Sequence, residues 1–114
     1  MKKRGGRLTK SWASGLLIWI LWSQEFGIGP GDQEIKNKPF VPHDTFDTKA
    51  DCLRTGKQKT QELGQTWRSI NYGPGARVTF SEDALTVSIL IDKLFLGSRY
   101  YCFPSNFDPR GPKG

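Results

Sequence analysis

Between Ala84 and Asp92 the chain reads ALTVSILID, with Leu85, Val87, Ile89 and Ile91 on one parity and Thr86, Ser88 and Asp92 on the other. Period-two alternation rich in β-branched residues describes a strand with one buried face. Such a strand needs partners, and the flanking sequence offers them. ARVTF (76–80) places Val78 and Phe80 on one side, and KLFLGS leads through Gly97 into RYYCFP, where Tyr101 and Phe103 oppose Tyr100 and Cys102. TWRSINY (66–72) alternates less cleanly and reads as a further strand, joined to ARVTF by a hairpin turn at Gly73-Pro74-Gly75. Pro104, which lacks the N–H that a ladder needs, ends the last strand.

Upstream of the strands the period changes. Thr48 is a good helix N-cap, with Asp51 three residues on in a short-armed capping box, and Ala50, Cys52 and Leu53 give an apolar side. The predicted helix spans 49–63 and stops at Gly64. Gly56 lowers helix preference by about 1 kcal/mol relative to Ala and offers a second place to break. Lys57, Lys59 and Gln61 read as a solvated face. The expected fold class is α+β: one helix packed on a short three- to four-stranded antiparallel sheet.

The start of the chain is different in kind. Lys2, Lys3, Arg4, Arg7 and Lys10 precede any acid, and an apolar run from Ala13 to Trp22 follows. That is the layout of a secretory signal, whose apolar region is typically about 7–15 residues. Gln24 and Glu25 end the run before the roughly 20 residues of a membrane span. Residues 1–23 therefore read as a signal peptide or signal anchor. Cleavage signals are poor, since Leu21 stands at −3 to Ser23, so a membrane-tethered protein held by residues 12–29 is the alternative, with membrane contact through Ala13 to Trp22. A buried helix of a cytosolic protein is the plain rival. The same five cations account for most of the formal charge of +6; taking five from six leaves +1 on residues 11–114, twelve Lys and Arg against eleven Asp and Glu. A folded part so balanced does not call for nucleic acid as partner.

The two cysteines, Cys52 and Cys102, fit an exported chain. An even count in a short secreted protein reads as a bridge, and one between these two would close a loop of about 50 residues, worth roughly 4 kcal/mol on the chain-entropy account. Two buried free thiols are the other reading. A disulfide would matter, because a core drawn from about 70 residues is marginal alone. One histidine and no CxxC spacing give no basis for a metal site, and no cofactor motif is present.

Residues 24–45, rich in Gly, Pro, Asp and Lys, read as an irregular linker, from which Phe40 and Val41 are placed to dock on the core. The small α+β domain then covers 46–104. Residues 105–114, SNFDPRGPKG, read as a flexible tail that leaves Arg110 and Lys113 accessible as a possible interaction site, with Phe107 and Pro109 folding back over the domain as a further arrangement. A free tail predicts that its deletion leaves melting unchanged.

Phe46, Thr48 and Cys52 near the helix start, with Cys102, Pro104 and Asp108 to Gly114 at the end, resemble small uncharacterised bacterial exported proteins with a signal-like N-terminus, two cysteines and a C-x-P-x-x-x-D-P-R-G-P-K-G ending. The resemblance covers about a quarter of the chain. It implies export and a paired cysteine, and no activity.

Candidate chemistry is sparse. His43 has Asp44 and Asp47 nearby, but a solvated loop histidine explains it as well as a base or weak metal ligand does. Ser69, Ser81 and Ser88 lie in no nucleophile motif. NYGPGAR puts glycines beside Arg77 as an anion cradle would, without phosphate-loop spacing, so a tight turn is preferred. Glu82 and Asp83 are adjacent acids in a turn. The sequence thus reads as a non-catalytic binding module in the bacterial periplasm or envelope, with an envelope protein or polymer as partner; an inhibitor of an envelope enzyme, presenting the 73–76 loop or the tail, is a variant of that reading.

Overall fold

The structure is a computed structural model and describes residues 17–29, 34–35 and 38–111. In chain order the elements are β1 (Trp19–Ile28), β2 (Glu34–Ile35), β3 (Val41–Phe46), α1 (Lys49–Ser69), β4 (Arg77–Phe80), β5 (Thr86–Ile91) and β6 (Leu94–Pro104). The strands form one antiparallel sheet in the order β2-β1-β6-β5-β4. β3 lies on the same edge of β1 as β2: Gly27 and Ile28 pair with β2, and Trp19 to Ser23 pair with β3. The sheet is therefore five strands wide, and α1 covers one face of it. The fold class is α+β, as expected, but the sheet is wider than three or four strands.

The difference arises before residue 46. The expected irregular linker over 24–45 contains β2, all of β3 but Phe46, and half of β1, and the expected boundary at residue 23 falls inside β1. WILWSQEFGI is apolar on both parities at its start. That suits a central strand covered on both faces as well as it suits an export segment, and periodicity alone does not separate the two. Leu21 is fully buried under α1, and Trp22, on the opposite face, is 3% exposed. A membrane helix over residues 12–29 is not the arrangement seen, since Trp19–Ile28 is a strand; among the described residues no helix is long and apolar enough to cross a membrane.

Helix α1 starts where the sequence indicates. The Asp51 N–H donates to Thr48 Oγ1 at 3.1 Å, and Arg54 meets Asp51 at 2.6 Å. It then runs through both glycines to Ser69 instead of ending at 63. Cys52, Gly56, Thr60 and Gly64, four residues apart, form its buried stripe. Small side chains there let the helix lie close to the sheet: a β-carbon on Gly56 would sit 3.0 Å from Leu85 Cδ2 and 3.2 Å from Leu21 Cδ1. The Thr60 hydroxyl, buried in the same stripe, donates to the Gly56 carbonyl at 2.8 Å. Trp67 to Ser69 complete the helix, so the strand expected over TWRSINY is absent. Gly73 and Gly75, at φ 102° and 88°, turn the chain from helix to β4 and do not join two strands.

The buried apolar residues are Leu21, Trp22, Cys52, Leu85, Val87 and Ile89, and the last three keep the parity read in ALTVSILID. Cys52 and Cys102 form a disulfide with Cα atoms 6.0 Å apart, joining the first turn of α1 to the end of β6.

Candidate functional site

An open concavity lies where α1 runs out. Ile70 ends the helix, its N–H donating to the Trp67 carbonyl at 3.2 Å. The chain then turns sharply, because the Asn71 side-chain oxygen accepts the Gly73 N–H at 3.0 Å and both loop glycines adopt left-handed backbone. This returns the chain into β4 at Arg77. Between the helix end, the loop and the sheet lies an open cleft of about 520 Å³, floored by Val78 and Ile89. Its size falls within the roughly 300–1,000 Å³ of small-ligand pockets.

Trp67, Ile70 and Tyr72 give the cleft apolar and aromatic walls, and Arg68 and Arg77 give it charge. The Arg68 guanidinium lies 5.1 Å from the centre of the Phe80 ring. Stacking of this kind uses the flat face of the cation and leaves its edge N–H groups able to donate. No Asp or Glu among the described residues lines the cleft, and none occurs in the sequence between Glu62 and Glu82. The surface here is cationic although residues 11–114 carry only +1. That acid-free run, which holds Trp67, Arg68, Tyr72 and Arg77, was the available sequence signal; TWRSINY as a strand and GPG as a hairpin would obscure it.

A second cleft, of about 360 Å³, opens beside β1 and β3, on the face of β1 that Leu21 turns to α1, and is lined by Ser23, Glu25, Lys38, Pro39, Val41 and His43. The register of β3 slips between Asp44, opposite Leu21, and Pro42, opposite Trp22, so His43 is an extra residue bulging towards Ser23. Its Nε2 lies 2.6 Å from Ser23 Oγ. Partial burial, then the charge of Lys59, holds the imidazole below its usual pKa, so it stays neutral at pH 7. The Tyr100 ring centre is 5.7 Å away; burial, then Glu62 and Glu25, raises its phenol above the usual value. Ser23 sits mid-strand, paired with β3 on one side and β6 on the other. The backbone beside it serves the ladders and does not turn donors towards the hydroxyl. The pair fastens β1 to the β3 bulge.

Of the residues singled out in the sequence, Cys52 and Cys102 are brought together. Arg110 remains exposed, as expected, but is folded back onto the domain. It donates to both Asp108 oxygens, at 2.9 and 2.8 Å, and stacks 5.2 Å from the Trp22 ring centre. Ser105 N–H donates to the Ile18 carbonyl at 2.7 Å, and Phe107 meets Phe103 edge-on at 4.9 Å. Through Gly111 the expected free tail is thus a clasp folded over the sheet face opposite α1. Lys113 lies outside the described residues.

No protein-family model, no curated protein and no solved structure matches this chain.

Proposed function

We propose that the protein is a small exported, non-catalytic binding module that takes its ligand in the cleft at the C-terminal end of α1. The observation that carries this is a ligand-sized hollow in which aromatic walls face two arginines that have no carboxylate partner among the described residues. The Cys52–Cys102 bridge supports placement in an oxidising compartment, as the cationic, apolar start of the chain does. The periplasm or envelope of a bacterium is the setting that the C-terminal ending implies.

The test is site-specific photocrosslinking in bacterial cells, with the reactive group at Tyr72 or, as a control on the far edge of the sheet, at Thr45. Free thiols are alkylated at lysis. The expected result is adduct formation with an envelope component from position 72, none from position 45, and unalkylated cysteines. Adducts from position 45 alone overturn the site, and alkylated cysteines overturn the compartment.

A further inference from the structure

We infer that the cleft recognises an oxyanion, a carboxylate or phosphate, carried on a flat apolar body. The inference rests on the reading of this cleft as the ligand site.

The described residues include five arginines. Three have a carboxylate within the chain: Arg54 with Asp51, Arg99 with Asp83 and Arg110 with Asp108. The two without one among the described residues, Arg68 and Arg77, line the same cleft. Guanidinium groups match oxyanions through paired N–H donors, and two of them line this one hollow. Arg68 also has a simpler role, since a cation in the last turn complements the helix dipole. That does not account for Arg77, which opens β4.

Arg68 is also seated. Its stack on Phe80 fixes where the charge lies, and Phe80 in turn packs onto bare Gly64 of α1. Holding the group in place before binding lowers the ordering entropy that a ligand must overcome. The remainder of the cleft defines the rest of the ligand. Trp67 and Tyr72 present rings, and Ile70, 46% exposed, presents aliphatic surface beside them. A bare inorganic anion leaves these walls in water, whereas an anion on a planar body covers them.

The experiment is a ¹H–¹⁵N NMR titration of the full, disulfide-intact chain with phenyl phosphate, benzyl alcohol, inorganic phosphate and an octathymidine strand. Phenyl phosphate is expected to shift the Trp67 indole and the amides of residues 68–78, with benzyl alcohol and inorganic phosphate each about tenfold weaker or more. Arg68→Gln and Arg77→Gln should each weaken phenyl phosphate by about tenfold, Arg77→Lys by less, and Arg99→Gln not at all. Each variant must keep the dispersed spectrum of the folded protein. Equal binding of benzyl alcohol, or Gln variants that bind as wild type, overturns the oxyanion while leaving the cleft as the site. Shifts confined to another face overturn both. Tighter binding of the oligonucleotide at the same residues replaces the small-molecule class with a polyanion and overturns the inference.

Discussion

A β-carbon on Gly64 would lie 2.2 Å from Cζ of Phe80, so helix and sheet approach here only because Gly64 has no side chain. Gly64→Ala gains about 1 kcal/mol of helix preference, but overpacking of this kind usually loses about 1–3 kcal/mol. A net loss of about 1 kcal/mol is expected in urea unfolding. Shortening the ring with Phe80→Leu should rescue the alanine, giving a coupling above about 0.5 kcal/mol in the double-mutant cycle. Simple additivity of the two changes would show that the contact does not set the approach.

The bridge between Cys52 and Cys102 should carry a large share of the stability. Replacing both with Ala, or reducing the wild type, is expected to remove about 2–4 kcal/mol. Unfolding curves with and without dithiothreitol should therefore diverge for the wild type and coincide for the double variant. A wild type indifferent to reductant contradicts the staple.

Removing residues 1–23 deletes Leu21 and Trp22 and every residue of β1 that pairs with β3. Burial of each large apolar side chain is worth about 1.5–3 kcal/mol, against about 5–15 kcal/mol for a whole domain. The truncated chain should lack a dispersed NMR spectrum. If it folds with native dispersion, β1 is dispensable and the boundary read from the sequence stands.

Deleting residues 105–114 should lower stability by about 1–3 kcal/mol, because Trp22 loses the Arg110 stack and Phe103 loses Phe107. This reverses the expectation of unchanged melting that an open tail carries. Thermal unfolding followed by circular dichroism decides between them.

Asp83 accepts bonds from Arg99, from the Ser81 hydroxyl and from the Leu85 N–H, and these hold its carboxyl well below the usual carboxylate range. A depressed folded-state pKa means stability that is present above the unfolded value of about 4 and lost as pH falls below it. Asp83→Asn should therefore be less stable than wild type near neutrality and flatten the acid limb between about pH 4 and pH 2. Parallel limbs in urea midpoints measured across that range would remove Asp83 as its source.

Half of this architecture was readable residue by residue. Thr48 and Asp51 announce the helix start, and the parity of Leu85, Val87 and Ile89 announces the central hairpin, because both signals are local. Gly56 and Gly64 misled for a physical reason: a glycine is a helix breaker by propensity and a close-packing position by geometry, and only the facing Leu85 and Phe80 tell which applies. Their spacing of four from Cys52 through Thr60 was the clue. Trp19–Ile28 misled because a doubly covered strand and an export segment share one composition. The cleft depended on both, since Arg68 joins Arg77 only when TWRS is helical and GPG is a helix-to-strand turn.

The neighbour of β1 along most of its length is β6, the last strand of the chain. Leu21 faces Cys102 across some eighty residues of sequence. Contacts of such separation form late and slow a fold. A chain delivered from its N-terminus therefore holds a sticky strand without its main partner until residues 94–104 have emerged, and the cysteine that locks the helix in place arrives in that same stretch. During that interval the apolar strand lacks the cover of β6.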